Sequence, residues 1–178
     1  NNILIFSTGI IGQQLPITNV ISSINKCEFN FKSSLKKASM AIMTTDKYEK
    51  WTVKKFKLSG VDIEVRGLCK GAGMIEPNMA TMLAFIFIDI KVPKNILRRI
   101  LRKCAAESFN KISVDGDMST NDSVALVATG SNIIDLNNTK NYQVIQQNIQ
   151  NVFCQLAHMI VSDGEGATKV CKISVTKA

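Results

Sequence analysis

Thr81 is the residue whose surroundings invite chemistry. It follows the small Ala80, heads the apolar run Met82–Ile88, and comes shortly after the glycine-rich stretch Lys70-Gly71-Ala72-Gly73-Met74. The plain reading is a loop that enters a strand, with Thr81 a β-favouring residue at its start. The sharper reading is an N-terminal nucleophile. A hydroxyl attacks poorly until a base takes its proton, and His158 is the one histidine of the chain. Were the Ala80–Thr81 bond cut, Thr81 would carry its own base. A free α-amine with a pKa of about 7.7–8.0 is roughly one-tenth unprotonated near pH 7, whereas a lysine at about 10.4 is unprotonated to well under a thousandth. A second unusual stretch, Asp163-Gly164-Glu165-Gly166-Ala167-Thr168-Lys169, sets a carboxylate between two glycines. Taken alone, that stretch reads as a turn.

The composition removes several other chemistries. His158 lies in a helical apolar stretch and reads as structural, which leaves Ser-His-Asp and histidine–metal sites without parts. Cys27, Cys69, Cys104, Cys154 and Cys171 are odd in number, scattered and without C-x-x-C spacing. Reduced thiols are therefore expected, with no disulfide framework and no metal site. No apolar run approaches the ~20 residues that a membrane-spanning helix needs. The net charge is +8, from 22 basic and 14 acidic residues, and only Arg66, Arg98, Arg99 and Arg102 are arginines. Nucleic-acid readers lean on arginine. The densest basic stretch, Lys32–Lys70 with Tyr48, Trp51 and Phe56 interleaved, reads as a solvated face, with a phosphate-binding surface as the alternative.

At 178 residues, 46% hydrophobic and 20% charged, the chain can form one domain with a substantial core. Ile3–Phe6 reads as a buried strand ended by the turn Ser7–Gly12. Residues Ser33–Met43 have helical character. Trp51–Leu58 and Val61–Arg66, separated by Ser59-Gly60, read as a hairpin. Gly67–Pro77 holds three glycines and a proline and reads as irregular. Met82–Ile90 is the most strand-like segment. Pro93 sits where a helix would start, with Leu97, Ile100, Leu101, Cys104 and Ala105 as its apolar stripe. Short strands are expected at Ile112–Val114 and Ser123–Ala128, a long helix at Tyr142–Ser162 and a closing strand at Lys169–Thr176. Ile145, Ile149, Val152, Leu156 and Met159 step by four, three, four and three, as one helix face does. The mixture argues α/β or α+β around packed sheet layers.

Seven blocks of the chain, in order, resemble the ornithine acetyltransferase family of arginine biosynthesis, also called the bifunctional glutamate N-acetyltransferases. They are Ser7-Thr8-Gly9-Ile10-Ile11-Gly12 with Leu15-Pro16, Ala41-Ile42-Met43-Thr44-Thr45-Asp46, Lys70–Leu83, Ser108-Phe109-Asn110, Val114-Asp115-Gly116-Asp117, Ser119-Thr120-Asn121-Asp122, and Asp163–Lys169. The Lys-Gly-x-Gly-Met…Ala-Thr-Met-Leu block is highly specific to that family.

The resemblance implies an α/β fold of packed sheet layers flanked by helices, the DmpA-like fold, incomplete at both ends because family members run further. It implies self-cleavage at Ala80–Thr81, with residues 1–80 in an α chain and 81–178 in a β chain, assembled as α2β2. Thr81 would be the nucleophile, and Thr8 and Gly9 the oxyanion pair. Lys70, Thr81, Glu165 and one of Thr44 or Thr45 would contact substrate. Acetyl would pass from N-acetylornithine to glutamate without a cofactor. Some members also accept acetyl-CoA as donor, which these residues do not decide. The setting implied is cytoplasmic, or an organelle matrix in a eukaryote. For Ser119–Asp122, turn and capping hydrogen bonds are the expected role. Two rival readings stand beside this one: an N-terminal-nucleophile amidohydrolase or aminopeptidase, and a basic nucleic-acid-binding or interaction module.

Overall fold

A computed structural model describes residues 3–27, 34–75 and 82–176. The proposed cleavage site Ala80–Thr81, and with it the nucleophile Thr81, lies outside the described residues. The elements run α1 (Ile17–Lys26), α2 (Leu35–Ala41), β1 (Lys50–Leu58), β2 (Val61–Lys70), β3 (Leu83–Lys91), α3 (Lys94–Ala106), a short 3-10 turn (Phe109–Lys111), β4 (Ser123–Ile133) and α4 (Thr139–Ser162). The class is α/β, a mixed sheet flanked by helices, as the sequence implies.

The four strands form one sheet in the order β1-β2-β3-β4. The expected hairpin is present: β1 pairs antiparallel with β2 across Ser59-Gly60, whose φ values are 52° and 80°. Those angles suit a two-residue turn matched to the twist of the strands. β2 pairs antiparallel with β3, and β3 pairs in parallel with β4. A parallel neighbour requires a crossover, and α3 supplies it.

One face of the sheet carries the core. Ile63 and Val65 on β2 and Ala84, Ile86 and Ile88 on β3 alternate along their strands and meet Ile145, Ile149, Val152, Phe153 and Leu156 of α4, with Ile100 and Cys104 of α3 beside them. The 3.6-residue stripe read from the sequence is thus the buried stripe of α4. Asn138 starts that helix, its side-chain oxygen accepting from the Lys140 and Asn141 amides, a cap worth ~1 kcal/mol. At Gly67 the strand approaches α4 so closely that a Cβ would stand 2.7 Å from Val152 Cγ1 and 2.8 Å from Leu156 Cδ1.

Four local expectations are corrected. Ile3–Phe6 is not a strand: Ile5 is 88% exposed, and only Phe6 packs, edge-on against Phe85 at 5.1 Å between ring centroids. Lys169–Thr176 is also irregular, with Ile173 88% exposed. Apolar alternation makes a strand only where a ladder partner exists, and neither segment has one among the described residues. Ile112–Val114 forms no ladder among the described residues, although the Val114 N–H donates to the Ile75 carbonyl at 2.7 Å. Conversely, Gly67–Lys70 is regular, because β1 and β3 pair with it from both sides and override the glycine. Helix α1 had no counterpart in the sequence reading. Its Ile17, Val20, Ile21 and Ile24 share a face, but none is buried.

Candidate functional site

The site is built where three loops meet the end of β2. The first follows α2 and is shaped by Asp46, whose Oδ2 accepts the Thr44 amide at 3.1 Å and whose Oδ1 accepts the Gly71 amide at 2.7 Å. Burial would push the Asp46 carboxyl up, but the amide bonds and the Lys50 ammonium outweigh it and hold the pKa below the ordinary carboxylate value. The loop is therefore held in place by an ionised side chain.

Lys70, the last residue of β2, is 1% exposed. Its Nζ donates to Thr44 Oγ1 at 3.2 Å, its one hydrogen bond among the described residues. Burial pushes its pKa below that of a free lysine, while the carboxylates of Asp46 and Asp122 pull it partly back. An ammonium has three donors and a large desolvation cost when they go unused. Lys70 is thus a buried cation with spare donors.

The second loop, Gly71–Ile75, is pinned by Asp115, which accepts the Met74 and Ile75 amides at 2.5 and 2.9 Å. Those bonds hold Met74 in the left-handed region at φ 53°. The third is the turn after α4, where the Glu165 amide donates to the Ala72 carbonyl at 2.8 Å. Here Gly73 matters for close approach: a Cβ on it would lie 2.9 Å from the Glu165 carboxylate.

Thr8, Gly9, Thr44, Thr45, Lys70 and Glu165 all line one cleft of about 370 Å³. Ile10, Gly73, Met74 and Asp115 complete its wall. Six predicted site residues from four separate stretches of chain therefore come together. Thr8 is half-buried, and Thr44, Thr45 and Glu165 face solvent. The cleft presents a fixed cation, an exposed carboxylate and hydroxyls, a set suited to a small zwitterion.

The residues behind the cleft were not assigned by sequence. Lys50 is fully buried and bridges Asp46 at 2.6 Å and Asp163 at 2.5 Å. The solvated-face reading of Lys32–Lys70 is thus overturned for Lys50 and Lys70, which the sheet and the loops enclose. Asp122 does not act only in a local turn. Thr120, Asn121 and Ser119 bond among themselves, but Asp122 Oδ1 accepts the Met82 amide at 2.6 Å, across to the start of β3. Its Oδ2 is buried with no hydrogen-bond partner among the described residues, and burial pushes its pKa up to about 6 against the opposing pull of the Met82 amide and Lys70. Asp46, Asp115, Asp122 and Asp163 each stood in a family-like block, so a signal existed without a role. Lys50 carried none, being one lysine among many. Exposed His158 stands 3.5 Å from Ser162 on α4, away from the cleft lining.

Among the described residues no cluster of His, Cys, Asp or Glu could hold a metal ion, and no helix is long and apolar enough to cross a membrane.

A mixed sheet backed by helices, with a polar cleft where its loops converge, defines the chain as an α/β protein. The ArgJ family model matches residues 1–178, and the chain belongs to that family. It is 44% identical over 178 residues to the mitochondrial arginine biosynthesis bifunctional protein ArgJ of Dictyostelium discoideum, covering 98% of this chain and 40% of the relative. It is 41% identical over 180 residues to the protein of that name from Psychrobacter arcticus, covering 99% and 44%. The Thermotoga neapolitana protein is 42% identical over 179 residues, with 99% and 45% covered. The chain thus spans less than half the length of these relatives.

Proposed function

We propose that the chain is part of an acetyltransferase of arginine biosynthesis that moves acetyl from N-acetylornithine to glutamate through an acetyl-threonine intermediate. The observation that carries this reading is that a buried Lys70 ammonium and the exposed Glu165 carboxylate line one cleft. N-acetylornithine carries an α-carboxylate and a distant ammonium, the complementary pair of charges. Lys70 would bind the carboxylate, with Thr44 or Thr45 beside it, and Glu165 the side-chain ammonium.

The chemistry then follows from the residue types. The chain is cut at Ala80–Thr81 into 1–80 and 81–178, freeing the Thr81 α-amine. Thr81 Oγ attacks the acetyl carbonyl while that amine takes its proton. Thr8 and Gly9 stabilise the oxyanion, a contribution of roughly 3–4 kcal/mol per donor in such sites. The C–N bond breaks, the proton passes to the departing ornithine nitrogen, and an ester remains on Thr81. The glutamate amine attacks that ester through the same oxyanion geometry, and Oγ regains its proton. No cofactor takes part. A thioester such as acetyl-CoA can enter the same ester-forming step, and the residues of this chain do not decide between the two donors. The cut chains assemble as α2β2. The eukaryotic relatives bear mitochondrial names and the bacterial ones do not, in keeping with an organelle matrix or a cytoplasmic setting.

Intact mass of the full protein is the decisive measurement. Two chains, one beginning at Thr81, are expected from the wild type and a single chain from Thr81→Ala. With N-acetylornithine as donor, acetyl should appear on glutamate faster than it is lost to water. Wild-type protein that remains uncut yet transfers acetyl at full rate would refute the nucleophile, and hydrolysis without transfer would make the protein an amidohydrolase.

A further inference from the structure

Lys50 is the first residue of β1, fully buried, and no substrate could touch it. Its ammonium nevertheless joins two walls of the cleft. Through Asp46 it reaches the Thr44 amide and the Gly71 amide. Through Asp163, which ends α4, it reaches the turn that carries Glu165, and the same carboxylate accepts the Lys47 amide at 3.0 Å. Asp46 and Asp163 are more than a hundred residues apart in sequence, and one nitrogen atom holds them together. Stability alone explains such a triad poorly, because apolar side chains of similar volume often replace buried ion pairs without loss. Specific placement of the attached loops explains it well.

We propose that Lys50 is a positioning residue: by gripping Asp46 and Asp163 at once, it sets the Thr44–Thr45 loop and the Glu165 turn at the separation that a substrate with a carboxylate at one end and a cation at the other requires. This rests on the reading of the cleft as the N-acetylornithine site. The groups facing the Lys50 ammonium are the two carboxylates, the Tyr48 ring at 5.1 Å, and, at longer range, the Cys69 thiol and the Lys70 ammonium. Burial pushes the Cys69 thiol far above its usual range, and burial likewise raises the Tyr48 hydroxyl. Neither supplies a negative charge near neutral pH. With Lys50 gone, Asp46 and Asp163 would face each other with Lys70 as the nearest cation among the described residues.

The test uses the full protein, with Lys50→Met and Asp163→Asn measured for acetyl transfer from about pH 6 to about pH 9 alongside circular dichroism. Lys50→Met is expected to raise KM for N-acetylornithine and lower kcat/KM by about 10²-fold, the scale on which small displacements act. Its loss should deepen as pH rises, because at lower pH the two carboxylates can share a proton and close the gap. The wild type should lack that trend. Asp163→Asn keeps the Lys50–Asp46 pair and loosens the hold on the Glu165 turn and on the Lys47 amide. It should raise KM by about tenfold with kcat nearly unchanged, and it decides the matter if Lys50→Met does not fold. Lys70→Met is the control for the site itself. If Lys70→Met transfers acetyl normally, the assignment of the cleft fails. If Lys70→Met is impaired while folded Lys50→Met and Asp163→Asn keep the wild-type KM and pH profile, the positioning role alone is overturned.

Discussion

Gly73 and Glu165 are in contact across the cleft in a way that only glycine allows. The Glu165 carboxyl carbon and one of its oxygens stand 2.9 Å from where a Gly73 Cβ would be. The Glu165 amide is at the same time tied to the Ala72 carbonyl, so backbone and side chain of the turn both follow the glycine loop. Lys70 sits at the base of that loop. The cation and the carboxylate of the cleft are thereby spaced by one short stretch of chain.

Gly73→Ala should separate function from folding. The added methyl meets the far end of an exposed, flexible side chain, so Glu165 moves and the backbone stays. Stability is expected to change by no more than about 0.5 kcal/mol, while KM for a donor with a cationic side chain rises severalfold. Thermal melting together with steady-state kinetics checks both halves.

Gly67→Ala should do the opposite. Its methyl would press on Val152 Cγ1 and Leu156 Cδ1, both on buried residues of α4. Overpacking of this kind costs about 1–3 kcal/mol. Urea unfolding should show a lower midpoint with an unchanged slope, and kcat of the folded fraction should be close to wild type.

Lys70→Met should trade activity for stability. A buried ammonium with one hydrogen bond among the described residues is poorly compensated, so an apolar side chain of similar length removes a desolvation cost. The variant is expected to melt at or above the wild-type temperature while kcat/KM falls by about 10²-fold. A variant that is both inactive and unfolded would show instead that the Lys70–Thr44 bond holds the fold.

Asp122 should leave a pH signature in stability. Its pKa is raised by burial to about 6 from 3.8, so the native state holds a proton that the unfolded chain releases. Its contribution is then largest at low pH and is lost as pH climbs from about 4 through 6. Asp122→Asn keeps an oxygen to accept the Met82 amide and carries no charge. Relative to wild type it should gain about 1–2 kcal/mol between pH 4 and pH 7, after allowance for partial solvent screening. Denaturant titrations at the two pH values measure the difference, and a constant offset would contradict it.

Much of the scaffold could be read from residue order. The stripe from Ile145 to Leu156 marks α4, Ser59-Gly60 marks the hairpin, and Pro93 marks the start of α3, because helix periodicity, turn chemistry and proline geometry are local properties. Ile3–Phe6 and Lys169–Thr176 misled for the same reason: their local preference is for strand, but strands exist through partners. Gly67–Lys70 erred in the other direction, since pairing on both sides outweighs a glycine's local cost.

At the cleft the division is similar. Chemical type is local, and so Thr8, Gly9, Thr44, Thr45, Lys70 and Glu165 could be named, with the family-like blocks around them, before any fold was known. Their convergence is a property of the assembled sheet and loops. Burial is decided there too. Lys50 is chemically the same residue as the solvated lysines of β1, and neither its burial nor that of Lys70 is legible in the sequence. Only the tertiary structure withdraws those two from water, one between Asp46 and Asp163 and one against Thr44. Desolvation depends on what surrounds a charge in space, and that is where two lysines of an ordinary basic stretch become a clamp and an anchor.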